Sequence, residues 1–225
     1  MKRLFKPAVL FFSLIVCFCH FVIAQSNIEY DIVLIGGRVI DPETKLDAIK
    51  NVGIINNRIA QISSERLKGK EEINVSGLVV APGFIDLHIH GRTNKEQEYQ
   101  LHDGLTTALE LEWGIENLKG WYATRQSKAL INYGASVNWA YERFKAIGKY
   151  DDAVNKLYQA TIKGESRIDV MTNAILPAKD EILTTDQVNQ TLVNIKNSLG
   201  EGGIGIGVAV GYLPKSNPNE MYRLF

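Results

Sequence analysis

The spacing of apolar and polar positions changes character part-way along the chain. From Tyr30 to Val80 the apolar residues come in short runs cut by turn formers. Asp31-Ile32-Val33-Leu34-Ile35 runs into Gly36-Gly37, and Arg38-Val39-Ile40 stops at Asp41-Pro42. Val52-Gly53-Ile54-Ile55 and Arg58-Ile59-Ala60-Gln61-Ile62 flank Asn56-Asn57. Asparagine tolerates the positive φ of tight turns, so this stretch predicts a β-hairpin. Further strands are expected over 72–75 and 78–80. Together they make a small β unit with little core of its own.

Past Pro82 the rhythm becomes strand followed by helix, the pattern of a parallel α/β architecture. Strands are expected over 84–90, 105–112, 130–139 and 203–210. Helices are expected over 94–102 and 118–129. Another, capped by Asp151 or Asp152, carries Val154, Leu157 and Tyr158 and ends near Gly164. The clearest helix opens at Thr185, aligns Val188, Leu192, Ile195 and Leu199 on one face, and stops at Gly200. Asn217-Pro218-Asn219-Glu220 reads as a last helix start, with Asn at N-cap, Pro at N1 and Glu at N3. That helix has barely two turns when the sequence ends, which reads as an interrupted frame.

The first residues alter the composition of everything after them. Lys2, Arg3 and Lys6 precede an apolar run over 8–18, and Val22-Ile23-Ala24 offers a cleavage site. Residues 1–24 therefore read as a signal peptide, and the protein as exported, periplasmic or secreted. The apolar run is shorter than the roughly 20 residues a membrane span needs, so no membrane association is expected after cleavage. Both cysteines, Cys17 and Cys19, and one histidine, His20, lie in this segment. The remaining chain would have no thiolate for disulfides, catalysis or metal binding. It would keep His88, His90 and His102, and 22 basic residues against 25 acidic ones, a formal charge of −3. Nothing in that balance suggests a nucleic-acid partner.

The chemistry concentrates in Pro82-Gly83-Phe84-Ile85-Asp86-Leu87-His88-Ile89-His90-Gly91. On a strand, alternate side chains share a face, so both imidazoles would point one way. A single histidine there would be read as a hydrogen-bonded core residue; two at i and i+2 ending an apolar strand point to a metal ion. Asp86 shares their face one step deeper and reads as a supporting residue rather than a ligand. Glu110 and Glu112 stand at alternate positions of the next expected strand. His102, in a polar segment, reads as a surface residue.

These motifs resemble the amidohydrolase superfamily of metal-dependent hydrolases. Tyr30 to Pro42 matches that family's usual opening, and Gly77 to His90 carries its His-x-His strand. Asp103-Gly104-Leu105-Thr106-Thr107 and the segment Gly203 to Pro214 are similar to its N-acyl-D-amino-acid deacylase (D-aminoacylase) branch. The resemblance implies a (β/α)8 TIM-type barrel at 82–225, preceded by part of a β-sandwich at 25–81. A complete barrel takes about 250 residues, so these positions would supply its first four βα units and the chain would be an N-terminal portion. His88 and His90 would bind zinc, as one or two divalent ions, and zinc would lower the pKa of water to about 7 for attack on an amide carbon. The branch commonly places a bridging cysteine where Trp113 stands; Glu112 is the expected substitute, with Glu110 the second choice. Arg92 falls where deacylases often carry an acidic residue, and is a candidate for binding a substrate carboxylate or for a loop salt bridge. The family's later histidines and its general-base aspartate, on the last strand, do not map onto this chain. The substrate implied is a small N-acyl amino acid or related amide, and oligomerisation is compatible with the pattern. Alternatives are a cyclic amidase of the dihydroorotase or hydantoinase type, and a non-catalytic, truncated metal-binding remnant.

Overall fold

A computed structural model describes residues 28–225. The signal peptide expected over 1–24, with Cys17, Cys19 and His20, lies outside the described residues. The chain divides into two compact units, Met1–Pro82 and Gly83–Phe225. Among the described residues no helix is long and apolar enough to cross a membrane.

The first unit is a five-stranded sheet. Strand β1 (Glu29–Asp41) pairs antiparallel with β2 (Leu46–Ile55), and in parallel with β4 (Lys68–Asn74) and β5 (Val79–Val80); β3 (Arg58–Ser63) extends β2. Asn56 and Asn57 take φ of 51° and 60°, the left-handed pair a tight β-hairpin turn requires. Gly36-Gly37, expected to separate two strands, instead bends a single one. The register slips between Leu34 and Gly37, Gly36 has φ 73°, and its N–H reaches Asn51 Oδ1 at 2.9 Å. Such a bulge absorbs an extra residue without ending the ladder. The buried core is small, with Tyr30, Val33 and Leu67 in one cluster and Val39 and Val52 buried besides.

The second unit is α/β, with a parallel sheet in the order β6 (Phe84–Asp86), β7 (Leu105–Ile115), β8 (Asn132–Asn138) and β9 (Ile206–Gly207). Helices α1 (Asn94–His102), α2 (Leu118–Arg125), α3 (Trp139–Ile147), α4 (Asp151–Lys163), α5 (Thr185–Gly200) and α6 (Pro218–Leu224) surround it. Thr93 with Glu96, and Thr184 with Gln187, form capping boxes that fix the starts of α1 and α5. Gly148 and Gly164 end α3 and α4 in the left-handed conformation.

Several expected elements differ in extent. The strand expected over 84–90 stops at Asp86, whose Oδ1 accepts the His88 N–H at 2.9 Å and takes the chain out of the ladder. The strand expected over 203–210 is regular only at Ile206–Gly207, because the glycine-rich run turns into a 3-10 segment at Val210–Tyr212. Helix α2 stops at Arg125 rather than 129, and Ser127 takes φ 59°. Tyr150, not Asp151 or Asp152, is the N-cap of α4; the two acids occupy its first turn, where the helix dipole favours negative charge.

Helix α3 is absent from the sequence reading. All of Trp139 to Phe144 is buried, Glu142 and Arg143 included, so no polar face betrays the helical period. Its start is set by Asn138, whose Oδ1 accepts the Tyr141 N–H at 3.1 Å. Residues 168–180 are also helical but irregular, passing from α through π to 3-10 where Pro177 follows Leu176. The core gathers Trp139, Phe144, Leu157, Ile195 and Leu213 around Val137 of β8. Met221 and Leu224 of α6 pack against it, whereas Phe225 is exposed.

Candidate metal centre

Strand β7 leaves its regular pairing beyond Glu110. Glu110 lies opposite Ala135 of β8, yet Ile115 lies opposite Val137, so residues 111–114 bulge outward. Ser136 Oγ donates to the carbonyls of Glu110 (3.3 Å) and Leu111 (3.0 Å), holding the bulge in place. Gly114 closes it at φ 78°, with a hypothetical Cβ only 2.4 Å from Ser136 O. We expect Gly114→Ala to destabilise the protein by more than the about 1–3 kcal/mol of left-handed strain alone. A urea-denaturation midpoint unchanged from wild type would contradict this description of the bulge.

The segment following β6 runs beside this strand, with His88 opposite Glu110 in an isolated bridge. His88 Nε2 lies 3.0 Å from Glu112 Oε2, and His90 Nε2 lies 3.2 Å from the same oxygen. These three are the described His, Cys, Asp and Glu side chains whose ligand atoms meet as one group. The two imidazoles are edge-on, 5.3 Å between centroids.

The two candidate glutamates take different places. Glu112 is about one-third exposed and faces both Nε2 atoms, whereas Glu110 is 1% exposed and its Oε2 faces His90 Nδ1 at 3.1 Å. Glu110 is therefore on the far side of the His90 ring from Glu112. Asp86 supports the turn at His88 through the backbone contact described above, and His102 is exposed at the end of α1.

Arg92 is not at the surface. Its side chain is 6% exposed, with Nε 3.1 Å from Glu110 Oε2 and Nη1 3.0 Å from Glu116 Oε1. Of the two expectations for Arg92, the loop salt bridge is present, since Arg92 lies in the loop before α1 and pairs with two carboxylates, although it is buried; the guanidinium is occupied by Glu110 and Glu116. Burial alone would lower the Arg92 pKa, but Glu116 and Glu110 outweigh it and raise the value. Glu116 was missed in the sequence. It lies just past the β7 bulge, at the carboxyl end of a parallel strand, where active-site residues collect in such folds. Tyr141 is buried nearby; burial and then Glu116 push its phenol above the usual tyrosine range.

A cleft of about 450 Å³ opens beside His90, walled by Trp113, Tyr141, Arg167, Met171 and Tyr212. The Trp113 and Tyr212 rings lie 4.9 Å apart. A larger hollow of about 710 Å³, bordered by Glu116, Glu142 and Lys145, has no histidine on its walls and so lacks the ligand chemistry of the cleft.

The donor set suits a divalent cation. In the tautomer that directs His90 Nδ1–H at Glu110, a lone pair on Nε2 faces the Glu112 carboxylate. In that tautomer the two acceptors are suited to a cation between them. Separations of 3.0 and 3.2 Å are close to the edge of about 3.3 Å in a tetrahedron with metal–ligand distances of about 2.0 Å.

No protein-family model matches the chain. A D-aminoacylase of Alcaligenes xylosoxydans xylosoxydans is 26% identical over 202 residues, 85% of this chain and 40% of that protein. The chain is thus similar to a D-aminoacylase along most of its length. A dihydroorotase of Streptococcus pneumoniae serotype 4 is 42% identical over 77 residues, 32% of this chain and 18% of that enzyme. Among solved structures, the N-acyl-D-glutamate deacylase of Bordetella bronchiseptica, complexed with zinc and a phosphonate inhibitor, superposes with a TM-score of 0.62 at 17% identity. That likeness is one of fold, over 88% of this chain and 42% of the deacylase. The chain thus spans about two-fifths of the length of the D-aminoacylase it matches.

Proposed function

We propose that this chain carries the metal-binding portion of a hydrolase for carbon–nitrogen bonds in small N-acyl amino acids or related amides. The observation that carries this reading is the convergence of His88 Nε2, His90 Nε2 and Glu112 Oε2. On this reading the four parallel strands are the first part of a (β/α)8 barrel, and the ligands sit at the carboxyl ends of its first two strands.

His88, His90 and Glu112 would hold the ion, with zinc the proposed metal. When bound, such an ion polarises an amide carbonyl and makes water acidic enough to serve as nucleophile near neutral pH. Trp113 and Tyr212 would shield one wall of the cleft from water, and Arg167 places a positive charge where an anionic substrate could rest. The basic end and apolar run of residues 1–24 support an exported location. Cyclic-amide hydrolysis is the second reading, favoured by the local identity to dihydroorotase.

The experiment loads the purified chain with zinc, measures bound metal, and follows hydrolysis of N-acetyl-D-amino acids and of dihydroorotate. Zinc uptake is the expected result, with any cleavage directed at the linear amides. Preference for dihydroorotate would favour the second reading, and a chain that retains no zinc would overturn both.

A further inference from the structure

We infer that Arg92 is a positioning residue, which sets the orientation and tautomer of His90 through Glu110. The inference rests on the metal-hydrolase reading of the same site.

The contacts form a continuous line, buried from Glu116 to Glu110 and ending on the half-exposed His90 ring. Glu116 Oε1 meets Arg92 Nη1 at 3.0 Å, Arg92 Nε meets Glu110 Oε2 at 3.1 Å, and that same oxygen meets His90 Nδ1 at 3.1 Å. One oxygen atom thus accepts from the guanidinium and also faces the imidazole Nδ1, from which it accepts in the Nδ1–H tautomer. Any displacement of Arg92 moves the acceptor that decides which His90 nitrogen carries the proton. The other Glu110 oxygen is also engaged, accepting the Trp113 N–H at 3.3 Å, so the carboxylate is fixed at both ends.

Arg92 is itself held at its backbone. Its N–H donates to Glu96 Oε2 at 2.9 Å, and its carbonyl accepts from Trp121 Nε1 at 3.0 Å. Glu96 belongs to the capping box of α1 and Trp121 lies in α2, so two helices position the arginine. Its planar guanidinium then spaces Glu110 from Glu116. A lysine, with one compact charge, cannot bridge two carboxylates in this way.

Stability alone does not account for the arrangement. A buried ion-pair triad commonly contributes little net stability, because desolvation of its charges offsets their attraction. Its directional consequence is different. Holding Nδ1–H on Glu110 leaves Nε2 free on the side where His88 and Glu112 converge.

The test compares wild type with Arg92→Met, Arg92→Lys and Arg143→Met, all as the full chain. Arg143 is an equally buried arginine, paired with Glu220 at 3.1 Å on another part of the fold, and controls for loss of a buried ion pair. Two quantities are measured: zinc affinity by calorimetry, and the His90 ring tautomer by nitrogen-15 NMR of the metal-free protein at a pH where the ring is neutral. Arg92→Met is expected to weaken zinc binding by about 10–100-fold and to release His90 from the Nδ1–H form. Arg143→Met is expected to change neither. Should Arg92→Met fail to fold, Arg92→Lys supplies the same readings, with zinc binding weakened about tenfold. Wild-type affinity and an unchanged His90 tautomer in the folded Arg92 variant would overturn the inference. A wild-type chain that binds no zinc would instead remove the metal-hydrolase reading, while the tautomer measurement would still decide what Arg92 does to His90.

Discussion

Changing His88 and His90 together to alanine will weaken zinc binding by about four orders of magnitude and abolish any metal-dependent hydrolysis. The size follows from general zinc energetics. A four-ligand protein site provides about 10–16 kcal/mol, or roughly 3 kcal/mol per ligand, so two ligands account for about 6 kcal/mol. At 1.4 kcal/mol per decade that is about 10⁴ in Kd. Folding should be little affected, because both side chains are at least half exposed and neither belongs to a core cluster. Calorimetric titration with zinc and a thermal melt of the metal-free chain separate the two effects. Hydrolysis that survives the double substitution would remove these histidines from the chemistry.

The second large effect concerns stability. Glu220→Ala leaves Arg143, whose side chain is fully buried, without its carboxylate partner. It also removes the acceptor of Trp139 Nε1, 3.2 Å away. Breaking a buried pair from one side costs about 3–5 kcal/mol, which for a chain of this size lowers Tm by roughly 10 °C. Replacing both partners, as in Arg143→Met with Glu220→Leu, should restore most of that loss, since an apolar pair carries no desolvation cost. A single Glu220→Ala variant melting within 2 °C of wild type would show that the pair does not tie α6 to α3.

What the sequence revealed depended on how local each determinant is. The start of α6 was legible because Asn217-Pro218 satisfies its own backbone groups within a few residues, and α5 because its apolar face repeats at helical spacing; the capping boxes of Thr93 with Glu96 and Thr184 with Gln187 emerged only with the fold. The Asn56-Asn57 hairpin was legible because its turn is equally local. Helix α3 was not, because a buried helix has no polar side, and Glu142 and Arg143 look like surface residues until their tertiary partners are known. Around the metal centre, His88, His90 and the pair Glu110 and Glu112 could be named from spacing. Simple alternation put both glutamates on one face. The bulge over 111–114 and the burial of Glu110 give them different partners. The contacts of Arg92 and Glu116 required knowledge of which loop folds inward, and no local pattern encodes that.

The bulged strand has a consequence for when the site forms. His88, His90, Arg92, Glu110, Glu112 and Glu116 all come from residues 88–116, on one strand–helix–strand passage. Closing so short a loop costs little chain entropy compared with pairings between distant strands. The metal-binding arrangement therefore needs only contacts of low sequence separation, the class that forms fastest in folding. On the proposed metal reading, zinc present during folding is expected to speed formation of this passage ahead of β9 and α6, so that an ion would organise the sheet early.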